Sequence, residues 1–352
     1  MPVQIFNDPP ALEVFYDAII MPTCRLQNRS TPLEMYGGVF DKNKNFIDSS
    51  ALVRGDIHQI MASGEVSKRP KHLDENVLYG GFLYRKHHEH TGCYGHFLVE
   101  SLARMWAGLS HFLFDRLVFN SHPGVKEACE IGNFFFEKLG WPKEKILIVN
   151  EPLRFSRITI PAAAITIGGT KASKVQSFVY NAIAEKIIGK KDIELLGDAP
   201  VYISRTKFSE RPVFGEINLE DHLKDSGWEI FHPEIESIEN QIRTARKSRV
   251  YAGVIGSGMH NLIFSRPGTR VFYIERNPNQ RTTYNTLAAL DAIVGLDGSY
   301  IPANLEAASP IGPFLIDQNF IIDEFYKRGY LNNKAVFDLS LARNEYIEFS
   351  RK

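Results

Sequence analysis

The sequence predicts an α/β fold of two lobes, and three observations lead to that prediction. The chain has 352 residues, which is more than one hydrophobic core usually supports. Short apolar runs typical of buried strands alternate with helical patterns, and this alternation predicts parallel sheets. A polar stretch at 191–200 separates two such series. We therefore expect a linker there and a ligand cleft between the lobes.

The first predicted lobe covers residues 1–195. Its opening part, up to about residue 75, has apolar pieces at 12–20 and 35–40 between turn signals, which indicates a mixed, partly antiparallel segment. The elements that follow are strands at 77–84, 116–120, 145–150 and 157–161 and helices at 95–114, 125–139 and 173–190. Ser173 is the predicted N-cap of the last helix.

The second predicted lobe covers residues 196–300 and repeats the alternation. Its elements are strands at 201–204, 228–231, 249–254 and 270–274 and helices at 216–226, 238–247 and 259–265. The remaining segment, 301–352, is less regular and has a predicted final helix at about 321–328. We expect this segment to pack back across the lobes.

Charge and composition exclude several classes of protein. Lys plus Arg and Asp plus Glu both number 41, so no overall field steers the chain to nucleic acid. The three cysteines, Cys24, Cys93 and Cys129, have no CxxC spacing, which argues against a disulfide framework and favours a reducing compartment. No transmembrane segment or signal peptide is predicted, and a cytoplasmic location follows, with peripheral membrane association left open.

The most informative motif is the turn Gly256-Ser257-Gly258, which lies between a buried strand and a helix. Glycines lack a Cβ, so a ligand can approach the backbone closely, and the N–H groups at a helix start favour anions such as phosphate. His260 and Asn261 follow in the first helical turns. The alternative, with equal weight, is a tight strand-to-helix connection with no ligand.

A basic group supports the anion interpretation. Arg205, Lys207 and Arg211 follow the first strand of the second lobe, and the carboxyl ends of parallel strands share one edge of a sheet. This loop and the Gly256 turn could therefore clamp a diphosphate. A solvated charged loop is the competing interpretation.

Two further residues of the second lobe are candidates for the same site. Glu275 follows a strand at this edge, where a carboxylate often meets a ribose hydroxyl. Gln241, at a helix start, is either part of the site or a surface amide.

In the first lobe, His96, Glu100 and Arg104 fall at i, i+4 and i+8 of a predicted helix. A carboxylate or imidazole on such a stripe could take a proton from a sugar hydroxyl as a general base. Tyr94 is a candidate aromatic face for a sugar on the acceptor side. An ordinary exposed helix face is the alternative.

A dense histidine cluster invites a different enzyme class. The residues are His87, His88, Glu89, His90, Cys93 and His96. Imidazole and thiolate bind zinc, but the spacing fits no fixed ligand motif such as HExxH, so no metal site is predicted. A metal-dependent hydrolase built on this cluster is kept as an alternative function.

An ordered series of motifs resembles glycosyltransferase family 61. In the second lobe the series is Tyr202–Arg205, Arg211, Glu216, Gly227–Phe231, Glu239, Gln241, Gly256–Asn261, Phe264 and Pro267–Val271. In the first lobe Gly95–Glu100 and Arg104 are similar to the family's His-containing helix start.

The resemblance implies a GT-B arrangement of two Rossmann-like lobes, with donor in the second lobe and acceptor in the first. It implies inverting, metal-independent transfer from a nucleotide-diphosphate sugar, most often a UDP-sugar, to a glycan or lipid-linked saccharide, without a cofactor. In these terms Arg205, Arg211 and the Gly256 turn with Asn261 hold the donor diphosphate. Glu100 or His96 is the catalytic base.

The sequence departs from the family at two positions and in its lack of an anchor. Ile255 stands where many eukaryotic members have His, and Gly215 stands where Asn is usual. Eukaryotic members carry a membrane anchor, and none is found here. A bacterial enzyme of capsule or polysaccharide synthesis is therefore expected, with a non-catalytic glycan-binding protein that keeps a degenerate donor lobe as a further alternative.

Overall fold

The computed structural model describes residues 3–25, 35–55, 58–62, 69–84, 93–189, 199–209, 211–277, 281–310 and 312–351. The chain is a mixed α/β protein, as predicted. By its internal contacts it divides into two compact units. The first is Met1–Lys186 with Thr282–Ile293, and the second is Ile187–Arg281 with Val294–Lys352. The boundaries at 195 and 300 stay a prediction.

Strands and short helices alternate along the first part of the chain. The strands are β1 (Gln4–Phe6), β2 (Leu12–Arg25), β3 (Met35–Phe40), β4 (Leu52–Arg54), β5 (His58–Ala62), β6 (Lys71–Leu83), β7 (Arg116–Ser121), β8 (Ile146–Ile148), β9 (Leu153–Pro161) and β10 (Lys171–Ser173). The α-helices are α1 (Cys93–His96), α2 (Met105–Gly108), α3 (Glu130–Lys138) and α4 (Gln176–Ile188). Short 3₁₀ helices lie at Asp48–Ser50, His111–Leu113 and Lys143–Lys145.

A mixed sheet organises the first unit, in the strand order β4-β5-β3-β2-β9-β6-β7-β8 among the described residues. The antiparallel entry is confirmed, because β2 runs antiparallel to both β3 and β9. From β9 onward the neighbours β6, β7 and β8 are parallel. Buried residues of the central strands, such as Ile20, Tyr79, Val118 and Phe155, form its core.

Two local predictions for the first unit are wrong. Ser173 ends strand β10, which pairs with β1, and α4 begins at Gln176 instead. The continuous helix predicted at 95–114 is a series of short turns: α1, a π-helical turn at Phe97–Ser101, α2 and a 3₁₀ turn. The π turn has an i→i−5 bond from the N–H of Leu102 to the carbonyl of Phe97. Because every residue of this turn is buried, packing rather than helix propensity sets its geometry.

The remaining elements follow in chain order. The strands are β11 (Val201–Ile203), β12 (Val213–Phe214), β13 (Glu229–Phe231), β14 (Val250–Val254), β15 (Arg270–Ile274), β16 (Asp297–Ile301), β17 (Asn304–Ala307) and β18 (Phe314–Ile316). The helices are α5 (Glu216–Asp225), α6 (Ile238–Lys247), α7 (Arg281–Val294), α8 (Gln318–Lys327) and α9 (Leu339–Ser350). Further 3₁₀ helices lie at Pro233–Ile235 and Ser257–Phe264.

A parallel sheet forms the centre of the second unit, in the order β13-β11-β14-β15-β16. When only the strands of this sheet are numbered, the order is 2-1-3-4-5, a doubly wound arrangement in which the chain switches direction between β11 and β14. Ligands of such sheets bind at this switch point, outside the carboxyl ends of the strands. Buried Tyr202, Ala252 and Phe272 from three of these strands share one core with Trp228 and Phe325.

The predicted elements of the second unit are mostly found, with two corrections. The segment after β14 is a 3₁₀ helix that begins at Ser257, two residues before the predicted helix at 259–265. The helix expected at 321–328 is α8, but it is not the final one, since α9 follows it. Most of the predicted linker at 191–200 lies outside the described residues. No described helix has the length and apolar character that crossing a membrane requires.

Candidate functional site

Two sequence-predicted motifs meet at the switch point of the second unit. Arg205 follows β11 and Gly256 follows β14. A Cβ added to Gly256 would lie 2.4 Å from Nη1 of Arg205, so the guanidinium packs directly against the glycine backbone. Gly256 has an extended backbone with φ of −178°, which any residue can adopt. A side chain at this position would therefore displace the Arg205 guanidinium, although the dihedral angle itself does not call for glycine.

The Arg205 guanidinium packs against an aromatic ring. It lies over the Phe208 ring at 5.1 Å, and within the described chain its buried Nε has no hydrogen-bond partner. Burial lowers the pKa of Arg205, the carboxylates of Glu216 and Glu234 oppose this effect, and the positive charge of Arg211 adds to it. Arginine stays protonated throughout the ordinary pH range. A charged group with an unused N–H is well suited to bind an anion.

The first residue of α5 fixes the backbone at Arg205. The Oε1 atom of Glu216 accepts the Tyr202 hydroxyl at 2.9 Å and the backbone N–H of Arg205 at 3.1 Å. Glu216 is fully buried. Burial raises the pKa of its carboxyl to about 7, although the Arg205 charge and the Tyr202 hydrogen bond act in the opposite direction.

One helical turn later, Glu220 holds the residues on either side of Arg205. Its Oε2 accepts the hydroxyls of Ser204 at 2.6 Å and Thr206 at 2.7 Å, and Nε2 of His232 lies 3.2 Å away. Burial by itself raises the pKa of Glu220, but these hydrogen bonds outweigh it and hold the pKa below its usual value. Glu220 is therefore ionised at neutral pH.

The candidates Gln241, Asn261 and His260 lie in or beside the 3₁₀ helix that follows the Gly256 turn. Gln241 and Asn261 bind each other, since Nδ2 of Asn261 donates to Oε1 of Gln241 at 2.8 Å, and Nε2 of Gln241 donates to the carbonyl of Pro233 at 2.9 Å. These amides join α6 to the 3₁₀ helix after the Gly256 turn. Nδ1 of His260 lies 3.3 Å from the Gly256 carbonyl.

The last candidates of this unit differ in exposure. Lys207 is exposed, whereas Arg211, Ser257 and Gly258 are half-buried. Glu275 directly follows β15 and is also half-buried, and burial raises the pKa of its carboxyl.

The structure shows the surroundings of the two positions that depart from the family pattern. Gly215 has φ of +92°, and a Cβ there would lie 2.5 Å from Oε1 of Gln318. An asparagine at this position would be strained and crowded. Ile255 is a buried apolar residue whose N–H donates to the carbonyl of Ile274.

In the first unit, His96 and Glu100 form a bonded pair. Nδ1 of His96 lies 2.7 Å from Oε2 of Glu100, and the His96 ring stacks on Tyr84 with centroids 5.2 Å apart. Arg54 donates from Nε to Oε1 of Glu100 at 3.0 Å and from Nη2 to the Tyr84 hydroxyl at 2.6 Å. Only 1% of the Glu100 side chain is exposed, against 34% for His96.

The charges of this group explain how Glu100 is buried. Burial raises the pKa of the Glu100 carboxyl, but the hydrogen bonds and charges of His96 and Arg54 together hold it below its usual value. Burial likewise lowers the pKa of Arg54, and the Glu100 carboxylate more than restores it. Glu100 is therefore a fixed anion whose oxygens are occupied, while His96 is the more accessible member of the pair.

Arg104 is not brought to His96 and Glu100. Its guanidinium is buried, donates to the carbonyls of Pro161 and Ala51, and lies over the Tyr79 ring at 5.7 Å. The π turn changes the angular register after Glu100, so i+8 no longer continues the stripe. Tyr94 opens the same segment, is half-buried, and burial raises the pKa of its hydroxyl.

The histidine cluster at 87–90 lies outside the described residues, and the Cys93 side chain is not described either. Within the ranges that are described, no three His, Cys, Asp or Glu side chains come together as a metal site would need.

Sequence reasoning did not place Arg54, Tyr84 or Glu220 in a site, and it named Glu216 only as a member of the motif series that resembles the family. Arg54 and Tyr84 lie in or after strands whose partners are distant in sequence, and no motif marks them. Glu216 and Glu220 did leave a signal, because their i, i+4 spacing on a helix next to a basic loop is visible in the sequence.

Comparison with known proteins finds a family model, described as Glycosyltransferase 61, that matches residues 94–272. The match covers slightly more than half of the chain and includes His96, Glu100, Arg205 and Gly256. Among curated proteins the comparison finds no match.

Proposed function

We infer that this chain, which belongs to the Glycosyltransferase 61 family and is a glycosyltransferase, uses a nucleotide-diphosphate sugar as donor. We further propose that a UDP-sugar is the donor, that transfer inverts the anomeric centre, and that no metal ion takes part. The acceptor in this proposal is a hydroxyl of a glycan or lipid-linked saccharide. The family match favours a transferase over the hydrolase alternative.

The observation that carries the donor proposal is the packing of the Arg205 guanidinium on Gly256 at the switch point. The leaving group of the reaction is a nucleoside diphosphate, and its departure is assisted by positive charge placed in advance. Arg205 supplies a full charge and an Nε–H that has no partner among the described residues. The backbone N–H groups at the start of the 3₁₀ helix at Ser257 add partial positive charge beside it.

The first unit supports His96 as the base. Nδ1 of His96 lies 2.7 Å from Oε2 of Glu100 and 3.3 Å from Nη2 of Arg54. In our proposal Nδ1 donates its proton to the Glu100 carboxylate and Nε2 keeps the lone pair. In an inverting displacement, Nε2 would take the proton of the acceptor hydroxyl as that oxygen attacks the anomeric carbon. Glu100 would then stabilise the imidazolium that forms. In this assignment Glu100 acts through His96, since its own oxygens are already bonded to Arg54 and His96.

A role in bacterial capsule or polysaccharide synthesis and a cytoplasmic location are parts of the same proposal. They stand on the resemblance of the sequence motifs alone.

Nucleotide binding tests the donor proposal. Purified protein is melted with UDP, GDP, CMP or TDP, with and without EDTA, and the measurement is repeated with Arg205→Ala. We expect one nucleotide to raise the melting temperature, the shift to survive EDTA, and Arg205→Ala to abolish it.

Arg249→Ala is the matched control, since Arg249 is exposed just before β14, at the amino end of the sheet, and donates to the Pro267 carbonyl. It should leave the nucleotide shift intact. The donor site would be refuted if none of the nucleotides raised the melting temperature, or if both arginine variants lost the increase equally. Either result would favour the non-catalytic alternative.

A further inference from the structure

Helix α5 holds the Arg205 segment with two carboxylates. Glu216 binds the backbone N–H of Arg205, and Glu220 binds the hydroxyls of Ser204 and Thr206 on either side. The two glutamates are one turn apart and therefore share one face of the helix. The guanidinium over Gly256 therefore extends from a backbone segment that both carboxylates contact.

The two carboxylates differ in what their oxygens do. Oε2 of Glu220 accepts several hydrogen bonds, whereas at Glu216 both bonds fall on Oε1. In the described part of the chain, Oε2 of Glu216 is buried without a hydrogen-bond partner. A proton can therefore bind at Oε2 while Oε1 keeps both the Tyr202 and the Arg205 bonds.

Resting on the proposed donor site, we propose that Glu216 is a positioning residue for Arg205 and that the donor diphosphate binds the form in which Oε2 of Glu216 carries a proton. Where free Glu216 is ionised, nucleotide binding is then coupled to uptake of one proton by the enzyme.

The charges around Glu216 give the physical reason. Tyr202 and Arg205 face it from the end of β11, Glu220 lies on its own helix, and the uncharged amide of Gln318 opens α8 beside Gly215. The ionised Glu216 and a bound diphosphate would both be anions near the same guanidinium. Protonation of Glu216 removes one of them, so the diphosphate and the proton favour each other's binding. Affinity should fall as pH rises through the range in which free Glu216 loses its proton.

The test compares the nucleotide affinity of wild type, Glu216→Gln and Glu216→Ala between about pH 6 and about pH 8. The probe is the nucleoside diphosphate that stabilises the wild type best, and binding is measured by calorimetry. Glutamine keeps an oxygen at the Oε1 position and imitates the protonated acid. Taking the ratio of wild type to Glu216→Gln also cancels any titration of the nucleotide itself.

We expect similar affinities for the two proteins near pH 6 and a wild-type affinity roughly tenfold weaker than that of Glu216→Gln near pH 8. Glu216→Ala, which loses the acceptor for Arg205, should bind at least tenfold more weakly than Glu216→Gln at every pH. Calorimetry of the wild type near pH 8 in buffers of different ionisation enthalpy should show proton uptake, and Glu216→Gln should show less.

The outcomes separate the two proposals. A constant ratio of wild type to Glu216→Gln, with binding that still depends on Arg205, overturns the proton coupling and leaves the donor site in place. Equal binding by Glu216→Ala and Glu216→Gln overturns the positioning role. If no nucleotide binds the wild type at any pH, both proposals fail. Glu220→Gln should shift the pH dependence to lower pH without abolishing it, because the negative charge of Glu220 raises the pKa of Glu216.

Discussion

The buried carboxyl of Glu216 predicts how the stability of the protein changes with pH. Its pKa is about 7 in the folded protein, and in the unfolded chain it returns to about 4.5. Between these values the folded state holds a proton that the unfolded state has lost. The contribution of Glu216 to the free energy of unfolding is therefore fully present below about pH 4.5 and is lost as the pH rises to about 7.

The size of the effect follows from the interval between the two pKa values. Each pKa unit corresponds to about 1.4 kcal/mol, so the interval from 4.5 to about 7 corresponds to about 3 kcal/mol. Glu216→Gln cannot titrate and avoids this loss. The amide itself changes stability by an amount that does not depend on pH. Beyond that amount, the free energy of unfolding of Glu216→Gln should rise by up to about 3 kcal/mol relative to the wild type between pH 4.5 and pH 7.

Urea denaturation at a series of pH values, followed by tryptophan fluorescence, measures this difference. Trp228 lies in the same core as Tyr202 and reports on the second unit. Contributions of other titrating groups are shared by both proteins and cancel in the comparison. A difference that stays constant within about 0.5 kcal/mol from pH 4.5 to pH 8 would show that Glu216 is ionised in the folded protein. Glu220→Gln should show the opposite trend, because hydrogen bonds lower the pKa of Glu220. This variant should be less stable than the wild type at pH values above the usual carboxyl pKa.

Three shorter predictions concern the proposed site and its support. His96→Ala should lower kcat roughly 100-fold while nucleotide affinity stays within about twofold, and a kcat near that of the wild type would remove His96 as the base. Gly256→Ala should weaken nucleotide binding about as much as Arg205→Ala, because its Cβ would displace Nη1; unchanged binding in calorimetry would contradict the packing argument. Arg104→Ala should destabilise the protein by about 3 kcal/mol in urea, since two backbone carbonyls lose a buried charged donor. A loss below about 1 kcal/mol would instead be consistent with an exposed role for Arg104.

Local signals in the sequence were sufficient where an element is defined by its own residues. Helix α6 is found at its predicted bounds, because Ser237 caps it by accepting the N–H of Asn240 and basic residues end it. Strand β15 is also found as predicted. The meeting of the Arg205 loop and the Gly256 turn follows from the parallel order of strands, which the alternation of strands and helices predicts.

Contacts between residues that are far apart in the sequence determine features that the sequence did not predict. Ser173 has the side chain of an N-cap, but pairing of β10 with β1 places it in a strand. The spacing of His96, Glu100 and Arg104 assumes 3.6 residues per turn, and the π turn breaks that assumption. Arg54 lies 46 residues before Glu100, and only the folded sheet brings the two together. No periodicity in a single sequence carries such a contact.

The contrast between Glu100 and Glu216 shows how partners, rather than burial, decide the state of a carboxyl group. Both side chains are almost fully buried. Glu100 is bonded to the guanidinium of Arg54 and to His96, and these partners keep it ionised. Glu216 accepts only a hydroxyl and a backbone N–H, and burial then prevails. Under the proposed function, a fixed anion at Glu100 suits a residue that orients His96 as the base, whereas a carboxyl that titrates near neutrality suits a position where a diphosphate would arrive and leave.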